Sequence, residues 1–133
     1  LLPQILFRNF ENGYQPEREG ICKIWDLVQS AAVEPNMPWW SLPETMRAAI
    51  YCALLASEAS VHKKALHIYS LCHNAFIRHY LKPDRHYFCI QTRGADGRPL
   101  GAIPATPDVD PCYHTGLCIL DSLSIIKNLA RLP

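Results

Sequence analysis

A helix that is apolar on nearly every side is the feature that most constrains this chain. It is predicted over residues 41–57, where Ser41 and Glu44 have the spacing of a capping box and Pro43 suits the first helical turn. The residues that follow are mostly apolar, so the helix has no wide polar face to turn toward water. We therefore expect other elements to cover it on more than one side.

The rest of the chain alternates between helical segments and turns. The predicted elements are an amphipathic helix over residues 2–11, a helix over 61–81 capped by Ser60, strands Tyr87–Thr92 and Arg98–Ile103 around an Asp96-Gly97 turn, and a helix from Asp110 to about Leu129. The helix over 61–81 has a polar face, whereas the last helix is broadly apolar and is expected to be buried. An outer helix between two inner helices is typical of a ring of helical hairpins.

The predicted fold is therefore all-α, with a small β-hairpin in a long loop. The 133 residues are the length of one domain, which we take to span residues 1–133. Three to five helices cannot close a ring of hairpins, so we expect a fragment of a larger barrel. The chain begins with Leu1 rather than Met, which agrees with this expectation.

Composition excludes several classes of function. Charged residues make up 19% of the chain, the net charge is +1, and basic residues are scattered among acidic ones. This pattern argues against a nucleic-acid surface and a polybasic membrane anchor. The sequence has no run of 18 apolar residues and no features of a signal peptide, so we predict no membrane association and a cytoplasmic location.

The cysteines support the same location. None of the six forms a C-x-x-C pair, and three fall inside apolar helical segments; they are Cys22, Cys52, Cys72, Cys89, Cys112 and Cys118. We expect reduced, buried thiols rather than a disulfide framework. No compact spacing of metal ligands is present, so no metal site is predicted.

Two titratable residues at helix starts are the candidate catalytic groups. His114 is predicted in the first turn of the last helix, where the positive end of the helix dipole favours the neutral imidazole that a general base requires. A histidine that only packs at a helix start is the alternative. Glu44 is the second candidate, although the capping box alone also explains a glutamate at this position.

Aromatic and acidic neighbours complete the predicted site. Trp39 and Trp40 precede Glu44, and exposed paired tryptophans usually have a partner or ligand. Tyr113 and Asp110 lie close to His114 in the sequence. We take these four residues as candidate substrate-binding groups, because aromatic faces stack on sugars while titratable groups move protons.

The segment Met37–Met46, which reads MPWWSLPETM, is followed some 70 residues later by Cys112-Tyr113-His114. In the order and spacing of these motifs the chain resembles the C-terminal part of the N-acylglucosamine 2-epimerase family. The resemblance covers roughly residues 37–130. It implies an (α/α)6 barrel, a cytoplasmic enzyme without a cofactor, a small sugar as substrate, and a homodimer of the longer parent protein.

The resemblance also implies roles for individual residues. A ring-opened sugar loses its C2 proton to a histidine and becomes an enediolate, and proton return to C2 or to C1 gives an epimerase or an isomerase. By position, His114 matches the late catalytic histidine and Glu44 the pocket carboxylate, while the tryptophans wall the pocket. Leu42 and Leu117 replace polar residues of some relatives, so the sugar is left open.

The other catalytic histidine of the family has no match in this chain. We therefore expect the chain alone to be inactive and to expose an apolar barrel face. Two other functions stay open. One is hydrolysis of unsaturated uronides with Asp108 or Asp110 as the acid or base. The other is a helical interaction module without catalysis, in which Trp39, Trp40 and His114 would lie on separate faces.

Overall fold

The computed structural model describes residues 1–85, 88–101 and 114–131. Within these residues the chain is mostly helical. Its α-helices are α1 (Leu2–Gly13), α2 (Ser41–Leu55), α3 (Ala59–His79) and α4 (Thr115–Leu129). The predicted helices over 2–11, 41–57 and 61–81 are thus confirmed, with ends that differ by at most two residues. The last helix ends at Leu129 as expected, while its predicted start at Asp110 lies outside the described residues.

Short antiparallel strands connect the helices. They are β1 (Tyr14–Gln15), β2 (Gly20–Ile21), β3 (Ile24–Asp26), β4 (Ala31–Glu34), β5 (Met37–Pro38), β6 (Leu81–Lys82), β7 (Phe88–Cys89) and β8 (Thr92–Arg93), and a 3-10 turn spans Pro83–Arg85. They form four two-stranded sheets, which pair β1 with β2, β3 with β4, β5 with β8, and β6 with β7. These small sheets therefore connect the helices and do not form a separate layer of the fold.

The pairing of β5 with β8 determines where α2 begins. Met37 pairs with Arg93 and Pro38 with Thr92. The next residue along, Trp39, donates its backbone N–H to the carbonyl of Gln91 at 3.0 Å. This short ladder fixes the entry of the chain into α2.

Within the described residues, which leave out Tyr87 and residues 102–103, the predicted hairpin consists of its turn and a few backbone contacts, one of which runs from the Leu100 N–H to the Thr92 carbonyl at 2.9 Å. Gly97 has a φ of +80°, which suits glycine, and its N–H donates to the Gly94 carbonyl at 2.9 Å. Arg93 and Pro99 form an isolated bridge beyond that turn. The strand predicted over Tyr87–Thr92 is divided, because β7 pairs with β6 while β8 pairs with β5.

Helix α2 lies at the centre of the packing. It contacts α1, α3 and α4, and this confirms that it is buried on more than one side. The core between these elements consists mainly of Trp39, Leu42, Met46, Ala49, Ile68, Cys72, Ala75, Phe76 and Tyr80. Small residues such as Ala49 and Ala65, both fully buried, let α2 and α3 approach closely.

Two predicted caps are wrong. The N-cap position of α2 is Trp40 and that of α3 is Glu58, and neither helix start has a side-chain capping bond. Ser41 is the first residue of α2 rather than its N-cap, and its hydroxyl donates to the carbonyl of Pro38 at 2.7 Å. Ser60 lies inside the first turn of α3.

The expected burial of α4 is also only partly correct. Cys118, Ser122 and Ile125 are buried, but the opposite face of the helix is apolar and open to solvent. The exposed side chains are Leu117, Leu120, Leu123 and Ile126, with Leu120 66% exposed. Among the described elements, α4 packs mainly against α2, so only one of its faces is covered.

A second apolar surface lies between α1 and α2. This cleft has a volume of about 830 Å³ and is lined mostly by aliphatic and aromatic side chains, among them Leu2, Leu6, Tyr51 and Leu55. Leu55 is 76% exposed. In the described part of the chain, no helix has both the length and the hydrophobicity needed to cross a membrane.

Candidate functional site

His114 immediately precedes α4, and its imidazole meets the first turn of α2. The Nδ1 atom lies 2.9 Å from Oε1 of Glu44, a residue 70 positions earlier in the chain. The α2–α4 packing creates this contact, since each residue lies at the start of its helix. When the imidazole is neutral, this geometry favours the tautomer in which Nδ1–H donates to the carboxylate.

Trp40 forms the wall of the site beside the histidine. Its ring centroid is 5.7 Å from that of His114, and the two planes are inclined by 33°. Trp40 is half-buried, so part of its ring stays open to a ligand. Trp40 and Glu44 therefore meet His114 in one place, although His114 lies 70 residues after Glu44 in the sequence.

Trp39 does not join them. It is only 5% exposed and packs in the core against residues such as Leu42 and Phe76. Adjacent residues at a helix entry point in different directions, and here the first tryptophan supports the fold while the second faces the site. The prediction that Trp39 binds substrate is therefore not supported by its position. Tyr113, Asp110 and Asp108 lie outside the described residues.

Glu44 is part of a longer chain of charged groups. Its second oxygen, Oε2, accepts a hydrogen bond from Nη2 of Arg47 at 2.8 Å. Nη1 of Arg47 in turn lies 3.7 Å from Oδ2 of Asp121 on α4. We call these five residues, Trp40, Glu44, Arg47, His114 and Asp121, the His114 cluster. The four charged or titratable side chains are each about 29–37% exposed, so a ligand and water can reach them.

Sequence reasoning missed Arg47 and Asp121. Both look like surface charges on otherwise apolar helices. The spacing of three residues between Glu44 and Arg47 was the available signal, because such a pair lies on one helix face. Asp121 had no local signal, since its partner lies on another helix.

A thiol lies beneath the cluster. Cys118, one turn into α4, is 1% exposed. Burial, together with the negative charge of Glu44, raises the pKa of this thiol to about 11. At neutral pH Cys118 is therefore an uncharged thiol that hydrogen-bonds to the Glu44 carboxylate, and it is not a nucleophile.

The other histidines of the described residues lie away from the cluster. His62 contacts the Ala53 carbonyl through Nδ1 at 2.9 Å, and His73 stacks on Tyr69. His79 pairs with Glu19, which also binds Arg78. Within the described ranges, no group of three His, Cys, Asp or Glu side chains is arranged to hold a metal ion.

The geometry argues against one alternative from the sequence. A module without a site was expected to have Trp39, Trp40 and His114 on separate faces, whereas Trp40 and His114 share one site with Glu44.

Comparisons with protein-family models, with curated proteins and with solved structures found no match to this chain.

Proposed function

We propose that this chain is the C-terminal part of a sugar 2-epimerase or aldose–ketose isomerase similar to N-acylglucosamine 2-epimerase, and that His114 transfers the proton at C2. The observation that supports this function best is the contact between His114 Nδ1 and Glu44 Oε1, made beside the ring of Trp40. It joins a proton-transfer group, a group that orients it and an aromatic surface in one place.

The proposed chemistry needs one nitrogen of His114. With Nδ1–H donating to Glu44, the lone pair of the neutral imidazole that accepts a proton is on Nε2. In a ring-opened sugar the C2–H bond is next to the carbonyl carbon. Nε2 takes the C2 proton, the bonding electrons form the C1–C2 double bond, and the carbonyl oxygen becomes the enediolate oxygen.

The fate of the proton separates the two activities. Return to the opposite face of C2 gives the epimer, and return to C1 gives the ketose. Return to the opposite face of C2 needs a second proton-transfer group, which we propose is supplied by another part of the barrel. Glu44 acts on the histidine rather than on the sugar, because its oxygens are already engaged by His114 and Arg47.

Trp40 is proposed to hold the sugar. The C–H face of a sugar stacks on an aromatic ring, and a half-buried tryptophan offers such a surface without unfolding the core. The imidazole 5.7 Å away lies close enough to reach a sugar seated on that ring.

The surroundings of the cluster support a barrel. The outer face of α4 and the α1–α2 cleft are both apolar and open in the described structure. Large exposed apolar surfaces usually pack against other elements. We propose that further helical hairpins of an (α/α)6 barrel cover them. In the part of the chain that the structure describes, Cys22, Cys52, Cys72 and Cys118 are free thiols, which agrees with the cytoplasmic location that we propose.

Exchange of the C2 proton tests the function. The full-length gene product and this chain alone would each be incubated in heavy water with N-acetylmannosamine, mannose, glucose and cellobiose, and deuterium at C2 would be measured by NMR. We expect the full-length protein to exchange the C2 proton of at least one sugar and this chain to exchange none. Absence of exchange by the folded full-length protein with every sugar would contradict the proposal.

A further inference from the structure

Arg47 binds the oxygen of Glu44 that His114 does not use. Arg47 lies one turn after Glu44 on α2, and its Nη2 donates to Oε2 at 2.8 Å while Oε1 faces the imidazole at 2.9 Å. Each oxygen of this carboxylate therefore has its own partner. A carboxylate held at one oxygen can still turn about its side-chain bonds, whereas one held at both has a fixed direction.

Asp121 holds the arginine in turn. Its Oδ2 lies 3.7 Å from Nη1 of Arg47, an ion pair that is longer than a hydrogen bond and that uses a different nitrogen from the Glu44 contact. A guanidinium is planar and presents its donors in a rigid fork, so two partners determine its orientation. The row Asp121–Arg47–Glu44–His114 begins and ends on the α4 side of the interface and passes through two residues of α2.

We infer that Arg47, anchored by Asp121, is a positioning residue that sets the tautomer and the orientation of His114 through Glu44. This inference rests on the proposed function for its catalytic meaning. Arg47 does not touch the reacting atoms. By holding Oε2, it leaves Oε1 as the acceptor for Nδ1–H, and so it keeps the accepting lone pair of His114 on Nε2.

A purely structural role is the competing explanation. Arg47 also bridges α2 to α4, and a residue that only fastened these helices would change stability without changing the imidazole. The tautomer of His114 separates the two roles. The protonated and unprotonated ring nitrogens have very different ¹⁵N chemical shifts, so NMR of ring-labelled histidine reads the tautomer directly.

The experiment uses the full-length gene product labelled with ring-¹⁵N histidine, at about pH 8.5, well above the usual histidine pKa. His114→Gln assigns the signal. We expect one Nδ1–H tautomer in the wild type and a mixture of tautomers in Arg47→Met. Arg47→Lys, which keeps a donor for Oε2, should restore most of the single tautomer. C2 exchange by Arg47→Met should fall at least tenfold in kcat, with KM changed less than twofold.

The chain provides a matched control. Arg78 binds Glu19, which also contacts His79, so Arg78→Met removes an arginine from a similar trio remote from His114. We expect this variant to leave the His114 signal and C2 exchange unchanged. Circular dichroism would show whether each variant folds. If Arg47→Met does not fold, Asp121→Asn decides the matter, with a partial shift toward the second tautomer expected.

An unchanged His114 tautomer in folded Arg47→Met, or in Asp121→Asn where that variant decides, would overturn the inference. Failure of the proposed function has a different signature. If the wild type exchanges no C2 proton but Arg47→Met still mixes the tautomers, the positioning role stands and the enzyme assignment does not.

Discussion

Glu44 Oε1 and His114 Nδ1 lie 2.9 Å apart, which joins the first turn of α2 to the residue that precedes α4. The capping-box pattern predicted a local role for Glu44, with its carboxylate turned back to the start of its own helix. The structure instead gives the carboxylate two other partners. His114 precedes a different helix, and Arg47 lies on the same face of α2. The glutamate thus lies in the first turn of α2 but contributes to a site between α2 and α4 rather than to a cap of its own helix.

In the proposed enzyme, removal of the Glu44 carboxylate should impair proton transfer more than folding. Glu44→Ala leaves His114 without the acceptor that fixes its tautomer, so we expect kcat for C2 exchange by the full-length protein to fall at least about tenfold. The pairs of Glu44 are about a third exposed, so the free energy of unfolding should change by only about 1 kcal/mol or less. Deuterium NMR and urea unfolding measure the two effects.

Glu17→Ala is the control for this variant, because Glu17 is an exposed carboxylate in the β1–β2 turn. Equal exchange rates for Glu44→Ala and Glu17→Ala would contradict the role of Glu44. A large loss of stability in Glu44→Ala would instead assign the glutamate to the fold.

Glu19 should make stability depend on pH. Hydrogen bonds from His79 and Arg78 lower the pKa of Glu19 below its usual value of 4.5. A lowered pKa stabilises the folded state above about pH 4.5, and this contribution is lost as the pH falls through the lowered value. We therefore expect Glu19→Gln to be less stable than the wild type at pH 7, with the difference shrinking in acid.

Glutamine is the appropriate replacement because Glu19 has a φ of +50°, and Gln keeps the same backbone constraint as Glu. Urea unfolding at several pH values between about 7 and 3 provides the measurement. A difference that stays constant across this range would show that the charge of Glu19 does not contribute.

Tyr80 should stabilise the fold through its hydroxyl. This residue is fully buried and donates to the carbonyl of Met37 at 3.0 Å, which ties the end of α3 to β5. Tyr80→Phe leaves that carbonyl short of a partner, and we expect a loss of about 1–2 kcal/mol in the free energy of unfolding. Tyr51→Phe, at an exposed position, should change it by less than about 0.5 kcal/mol.

The same residue has a spectroscopic signature. Burial raises the pKa of Tyr80 to about 12, even though the Arg93 guanidinium opposes the shift. In an alkaline titration followed by tyrosinate absorbance, the Tyr80→Phe variant should therefore lack the last phase. If the Tyr80→Phe and Tyr51→Phe variants lose stability equally and titrate alike, the Tyr80 hydroxyl has no special role.

Cys52 should report whether the α1–α2 cleft is covered in the full-length protein. It lines the cleft and is half-buried in this chain, whereas Cys72 is fully buried and its pKa is raised to about 12 by burial. We expect pulse alkylation with peptide mapping to label Cys52 of the isolated chain faster than Cys72. In the full-length protein Cys52 should become as protected as Cys72.

Persistent labelling of Cys52 in the full-length protein would contradict the proposed barrel, because the cleft would then face solvent. Labelling of both thiols at equal rates in the isolated chain would mean that the core itself opens. Circular dichroism of the labelled samples would show whether the protein is still folded in each case.

The bodies of the helices could be predicted from the sequence because their apolar residues recur with helical spacing. The buried side of α3, with Ala65, Ile68, Cys72 and Phe76, follows that period. Helix caps could not be predicted as reliably. Ser41 had the right type and spacing, but α2 begins at Ser41 itself, so this serine is the first helical residue and not the N-cap.

Contacts between segments that are distant in the chain could not be predicted from the sequence. Strands of two residues carry no periodic signal, so the pairing of Met37 with Arg93 could not be expected. Periodicity also identifies an apolar face without saying what covers it, as the exposed Leu120 on α4 illustrates. His114 and Glu44 were predicted as site residues from their chemistry, but Asp121 enters the site only through tertiary packing.

Deuterium exchange at C2 by His114→Ala in the full-length gene product tests the central claim most directly. His67→Ala, which alters an exposed histidine on α3, is the matched control. We predict that His114→Ala loses at least about 100-fold in exchange rate while His67→Ala matches the wild type. Exchange by folded His114→Ala within about twofold of the wild type would contradict the assignment of His114 as the proton-transfer group.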